Sequence, residues 1–297
     1  LEGVESLRKA AARCEGCGAC ESRCPMDVPK RLFNALVTSG RLDEAAELVS
    51  ECTCCGLCEE RCPHGVPHTE IVAAVRRNVG YSPREAVRKA VKVGSPYGRK
   101  EEDVNEPLEG DVVAVLGCTI RSRRDWTEAA VELASRAGWA TLGTDEPCCM
   151  NFARKYGEDV PENNLEAWRE LFDEYEDVVV FCPGCLDMCV EVLGRRPRHY
   201  AEVEKVKFDV PEGALYKSPC HLVRHGVDDS ILARLPVDVP PRRWRCCGGG
   251  GAVGEPSRDV DRWFMDRVTV TPCPMCARTL EKAGVRVVPL WTVARVR

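Results

Sequence analysis

Cysteine spacing limits what this chain can fold into more than any other feature. Of its 297 residues, 20 are cysteine. The first group reads Cys14-x2-Cys17-x2-Cys20-x3-Cys24 followed by Pro25, and the pattern recurs as Cys52-x2-Cys55-x2-Cys58-x3-Cys62 followed by Pro63. The N-terminus shows no signal-peptide core, so this many thiols point to metal rather than to a disulfide scaffold. A [4Fe–4S] cube needs four thiolates in a tetrahedral array. Three closely spaced cysteines wrap one face, and in two-cluster proteins the fourth of each run closes the other cube. The spacing therefore predicts two cubane [4Fe–4S] clusters. One is held by Cys14, Cys17, Cys20 and Cys62, the other by Cys24, Cys52, Cys55 and Cys58. Structural zinc also takes four cysteines, but as paired C-x2-C knuckles rather than two such runs with proline. Cys54 is spare and reads as a small buried hydrophobe.

The second half carries a different repeat. Cys118, Cys148-Cys149 and Cys182-x-x-Cys185 are followed by Cys220, Cys246-Cys247 and Cys273-x-x-Cys276, each of the form C…CC…C-x-x-C. Five cysteines are one too many for a cube or a zinc site, and an odd number excludes full disulfide pairing within a copy. Adjacent thiols can hold neighbouring metal atoms that a single thiol could not. The run Gly248–Gly251 after Cys247 lets the backbone fold closely around sulfide and leaves room for a substrate. The C-x-x-C pairs also have the spacing of a thiol–disulfide exchange motif, which ten cysteines in two matched sets make the weaker reading. Cys189 is a second spare.

Around these cysteines the sequence predicts an α+β multi-domain chain. Residues 1–94 read as a small, mostly helical ferredoxin-like domain, with apolar residues at helical spacing in "PKRLFNALVTSG", "RLDEAAELVS", "VPHTEIVAAVRRNVG" and "PREAVRKAVKVG". Residues 95–111 read as a polar linker. From there strand and helix alternate: "DVVAVLG", "WATLG", "DVVVF", "ALYKS", "VTV" and a final "VRVVPL" as strands, with "DWTEAAVELASRAG", "NNLEAWRELFDEY", "DDSILARL" and "SRDVDRWFMDR" as helices. That order implies parallel α/β (Rossmann-like) modules over 112–213 and 214–297, with ligands at the carboxyl ends of the strands, and the duplication leads us to expect the two modules to be related by a pseudo-twofold.

Net charge is −5 with acids and bases interspersed, so no nucleic-acid partner is expected. No apolar run reaches the length needed to cross a bilayer, so no transmembrane segment and a cytoplasmic location are expected, with membrane attachment only through a partner subunit. Neither a P-loop nor a G-x-G-x-x-G after a strand occurs, which assigns any flavin or nicotinamide to a partner. His221 and His225, beside Cys220, are the candidate catalytic proton donors. Arg154, Lys155 and Arg224 also lie near the cysteine runs and are candidates for binding an anionic substrate, with surface solvation the plainer reading of each.

Both five-cysteine copies match the CCG cysteine-rich motif, and the chain resembles the fused iron–sulfur subunit of the heterodisulfide reductase family: two ferredoxin-type motifs followed by two CCG modules. The resemblance implies a non-cubane [4Fe–4S] cluster on Cys118, Cys148, Cys149, Cys182 and Cys185, and a second on Cys220, Cys246, Cys247, Cys273 and Cys276. It implies reduction of a small-molecule disulfide, the coenzyme M–coenzyme B heterodisulfide of methanogenesis, with electrons from a redox partner subunit: a membrane b-type cytochrome, a flavoprotein or a hydrogenase module. Relatives that serve as electron-transfer subunits of flavoprotein dehydrogenases or fumarate reductases give the alternative. The first copy departs from the motif, with Met150 where glycine is usual.

Overall fold

The structure is a computed structural model that describes residues 3–80, 84–97, 107–240, 246–250, 256–257, 260 and 264–297, without the side chains of 23 and 84–86. Residues 258, 259 and 261–263 of the expected helix over 257–267, residues 98–106 of the expected linker and residue 251 at the end of the glycine run lie outside the described residues.

The chain is a mixture of helix and sheet. It begins with α1 (Val4–Ala11), α2 (Lys30–Ser39), α3 (Leu42–Leu48), α4 (His68–Val79) and α5 (Arg84–Val93). The expected apolar faces pack inward: Phe33, Val37, Ala45, Ile71 and Val75 form one core under the first cysteine runs, joined by Leu7 of α1, a helix not foreseen. Gly40 ends α2 in the left-handed region at φ 81, a conformation that costs a residue with a Cβ but not glycine.

The second half contains β1 (Val112–Val115), α6 (Cys118–Arg121), α7 (Arg124–Ala137), α8 (Asn151–Lys155), α9 (Glu162–Glu174), β2 (Asp177–Val180), α10 (Pro183–Met188) and β3 (Arg198–His199). It continues through β4 (Val206–Phe208), β5 (Leu215–Tyr216), α11 (Cys220–Arg224), α12 (Asp228–Leu232), β6 (Thr269–Thr271), α13 (Pro274–Lys282), β7 (Val287–Pro289) and β8 (Ala294–Val296). β1, β2 and β3 form one parallel sheet, and β5, β6 and β7 form another of the same order.

The two sheets share their register as well. Ala114 pairs with Val179 as Tyr216 pairs with Val270. Val113 bridges Ala140 as Leu215 bridges Asp238. The stretch "WATLG" is thus reduced to single bridges at Ala140 and Thr141, because only two of its residues run beside neighbouring backbone. "VRVVPL" is not the final strand: β8 follows β7 and pairs antiparallel with β4, Val206 opposite Val296. β3 and β4 were not foreseen; they are two and three residues long, too short for a period to register.

One apolar core runs through both sheets. α7 packs on β8 and on residues 290–293, while α12 packs on residues 200–202. Trp126 of α7 meets Trp291 edge-to-face at 5.3 Å, a favoured geometry for aromatic rings.

Candidate metal centres

None of the 20 cysteines forms a disulfide. In the helical part, the two cysteine runs are built alike position by position. The Val28 amide donates to Cys24 Sγ and the Val66 amide to Cys62 Sγ, both at 3.4 Å. The Glu21 carboxylate accepts from the Arg31 amide, and that of Glu59 from the Thr69 amide. Where the first run has Gly16 at φ 72, the second has Cys54 at φ 48.

Cys24, Cys52, Cys55 and Cys58 line one pocket, with Lys30 and Cys54 in its wall. Burial pushes the Cys58 thiol up to about 12. Cys14 and Cys62 both lie close enough to Cys20 to raise its pKa further, after burial and Glu21. Cys17 is exposed in the same loop. The structure thus brings together the whole second set and at least three members of the first.

Lys30 is 1% exposed and its Nζ lies 3.5 Å from Cys52 Sγ. Burial alone would discharge the amine, but the sulfurs of Cys52, Cys58 and Cys24 outweigh it and hold the pKa above the usual lysine value. A buried ammonium is costly beside neutral thiols, so its position fits the negative thiolates of a metal cluster. His68, the first residue of α4 as Lys30 is of α2, is equally buried; both ring nitrogens lack hydrogen-bond partners, and burial lowers its pKa to about 4.

Each five-cysteine set closes into one string of thiols. In the first, Cys148 is within hydrogen-bonding reach of Cys118 and Cys149, Cys149 of Cys185, and Cys185 of Cys182. In the second, Cys246 reaches Cys220 and Cys247, Cys247 reaches Cys276, and Cys276 reaches Cys273. The order is the same in both. These hydrogen bonds favour the thiolate on the first member of each adjacent pair, lowering Cys148 and Cys246 well below the usual thiol range.

Adjacent cysteines therefore diverge, one toward the first cysteine of the copy and one toward the C-x-x-C at the start of α10 or α13. Proline opens each of those helices after Cys182 and Cys273, where its missing N–H leaves no bond unmade. The Gly248 and Gly249 amides donate to Cys246 and Cys247 Sγ at 3.4 Å. Cys182 lies close enough to Cys273 to raise its pKa, after hydrogen bonding and burial, so the two strings approach each other.

The residue after each adjacent pair adopts positive φ: 90° at Gly248 and 50° at Met150. Methionine in the left-handed region carries a penalty of about 1–2 kcal/mol. Its side chain is fully buried against Val87, Ala153 and Tyr156, which offsets the strain. The departure from glycine is thus tolerated by packing, not by a change of backbone.

The two halves of the chain meet at the second cysteine run. Cys55 is within hydrogen-bonding reach of Cys246, and Thr53 Oγ1 lies 3.4 Å from Cys246 Sγ. Cys54 is more than a buried hydrophobe: its thiol faces the Lys155 carbonyl and accepts from Arg76 at 3.5 Å. Arg76 is fully buried and donates to the carbonyls of Val49, Cys52 and Lys155 at 2.7–2.9 Å. Cys189 is buried in a π-helical turn, Cys189–Leu193, and burial pushes its thiol above the usual range.

His221, His225, Arg154, Lys155 and Arg224 do not act singly. They converge on Asp187, a fully buried carboxylate two residues past Cys185 that sequence reasoning missed. His225 Nε2 and Arg154 each lie 2.9 Å from an Asp187 oxygen. His221 Nδ1 is 3.0 Å away without hydrogen-bond alignment, and its Nε2 is 2.5 Å from Lys155 Nζ. Burial would raise the Asp187 pKa, yet His221 and Lys155 hold it well below the carboxylate range. The cationic residues read from sequence as solvated are therefore spent on this carboxylate. The only sequence signal for it was an acid inside an otherwise apolar stretch.

Among the described residues, no helix is long and apolar enough to cross a membrane. No curated protein and no solved structure matches the chain. Residues 13–66, which contain both C-x2-C-x2-C-x3-C-P runs, match the family described as a 4Fe-4S dicluster domain, so the chain is an iron–sulfur protein suited to electron transfer.

Proposed function

We propose that the chain is the iron–sulfur subunit of a heterodisulfide-reductase-like complex and reduces a small-molecule disulfide, the coenzyme M–coenzyme B heterodisulfide, at two non-cubane clusters fed by two cubanes. The observation that carries this reading is the pair of five-thiol strings, closed in the same order and approaching each other through Cys182 and Cys273. Shared sheet order and register, and the antiparallel pairing of Val206 with Val296, support two repeated modules about a pseudo-twofold, following a helical bis-cluster domain. Cys14, Cys17, Cys20 and Cys62 would hold one cubane, and Cys24, Cys52, Cys55 and Cys58 the other; the two five-cysteine sets would hold the non-cubane clusters.

The clusters would supply one-electron steps and iron able to bind a thiolate sulfur. The protein's own part is to exclude water and hold protons. Cleaving a disulfide takes two electrons and two protons. Lys155, His221 and His225, arranged around Asp187 next to Cys220, would offer a path along which protons reach the second set, with burial lowering the His221 pKa. The electron donor is a partner subunit, a b-type cytochrome, a flavoprotein or a hydrogenase module.

Iron and acid-labile sulfide, measured on anaerobically purified protein, come first. Four filled sites predict about 16 iron per chain, and the cubanes alone about 8. With the higher count, heterodisulfide reduction by a reduced dye is the deciding assay. Full iron without disulfide turnover would leave the electron-transfer subunit of a flavoprotein dehydrogenase or fumarate reductase complex. A count that reconstitution cannot raise above the lower figure would remove the catalytic reading.

A further inference from the structure

The repeats are alike in backbone and unlike in buried charge. In the helical module, Lys30 and His68 each follow C-P-x-x-V-P and open α2 and α4. One is a buried ammonium against Cys52, the other a buried neutral ring.

In the α/β part, strand register makes Lys217 the counterpart of Val115, since the residues before them, Tyr216 and Ala114, hold equivalent places in the sheets. Each stands three residues before the first cysteine of its set. Lys217 is 1% exposed, and Val115 is fully buried and apolar. Its Nζ donates to the Ser218 carbonyl, two residues before Cys220, and Cys276, Cys247 and Cys220 lie within its electrostatic reach. Near the first set, the charges that bear on Cys148 are Arg121 and Glu146, an opposed pair 3.8 Å apart. The two lysine-bearing sites are also the two that touch, through Cys55, Thr53 and Cys246.

A fixed positive charge in a medium of low dielectric stabilises an added electron, and net charge is among the factors that set iron–sulfur potentials. We propose that Lys30 and Lys217 are positioning residues that give one member of each repeated pair the higher reduction potential: the Cys24, Cys52, Cys55 and Cys58 site over its sister, and the second five-cysteine set over the first. Electrons would then collect at the junction between the helical module and the second set. The Lys217 half of this inference rests on the reading that both five-cysteine sets hold clusters; the Lys30 half needs only the two cubanes.

The test is an anaerobic redox titration of the whole chain, followed by electron paramagnetic resonance and visible absorbance, with iron counted beforehand. Wild type should show unequal potentials within each pair. Lys217→Met should shift one signal of the five-cysteine pair, and Lys30→Met one cubane signal, each by about tenfold in its reduction equilibrium, or about 59 mV downward for one electron. Lys217→Arg and Lys30→Arg should restore the wild-type values, which a merely structural role would not require.

A wild-type count near 16 iron with potentials unmoved in both methionine variants would overturn the inference while leaving the function standing. A count near 8 would sink the function and the Lys217 half together, with Lys30→Met still deciding the other half. Should the variants fail to assemble, equal potentials within the wild-type pairs would overturn the proposal by themselves.

Discussion

Replacing Arg76 with methionine should uncouple the helical module from the rest of the chain. The guanidinium is fully buried and donates to the carbonyls of Val49, Cys52 and Lys155, while lying 4.9 Å over the Tyr156 ring. Val49 follows α3, Cys52 opens the second cysteine run and Lys155 ends α8, so a single side chain ties the two regions. A hydrogen bond from a charged donor is worth about 1.5–3 kcal/mol, so three sum to about 4.5–9 kcal/mol before relaxation. Methionine fills much of the volume and water will reach some of the freed carbonyls. Each carbonyl left unsatisfied costs about 1–3 kcal/mol, so with some of them hydrated a loss of about 3–5 kcal/mol is expected. The assay is urea unfolding of anaerobically purified protein, with far-ultraviolet circular dichroism reporting helix and visible absorbance reporting the clusters. Arg76→Lys, which keeps the charge without the fork, should recover less than half of the loss. A destabilisation below about 1 kcal/mol would show that these bonds are readily replaced by water, and would refute the account of Arg76 as the tie between the regions.

Two further outcomes follow from local geometry. Gly117 sits at φ 86 with room for a Cβ only 3.0 Å from the Cys182 Cβ; Gly117→Ala should push Cys182 aside and lower iron content while α7 and β1 keep their circular dichroism. His199 is fully buried, with Nδ1 accepting from the Ala201 amide and Nε2 facing the Phe181 carbonyl, and burial lowers its pKa from 6.5 to about 3. Its folded pKa is depressed below the unfolded one, so the stability it contributes is complete above about pH 6.5 and is lost as pH falls toward 3, at about 1.4 kcal/mol per unit. Denaturant titrations between pH 7 and 5 should show this slope in wild type and a flatter one in His199→Gln.

The cysteine pattern made much of this molecule legible in advance. Ligand spacing is a local property, so the runs at Cys14–Cys24 and Cys52–Cys62 declared themselves without any knowledge of the fold. Long amphipathic stretches such as Arg124–Ala137 and Glu162–Glu174 did so too, because their periods repeat several times. Strands of two or three residues such as Arg198–His199 carry no period to read.

What the tertiary structure alone decided is proximity between residues far apart in the chain. Nothing in the order of residues says that Cys55 lies against Cys246, that Arg76 reaches Lys155, or that His221, His225, Arg154 and Lys155 gather on Asp187. Nor does it say that Lys217 and Val115 are counterparts, since that equivalence emerges from sheet register. How the thiols fall into groups was largely written in spacing, whereas the charges that surround each group were set by packing, because a buried charge takes its meaning from neighbours the chain brings in from elsewhere.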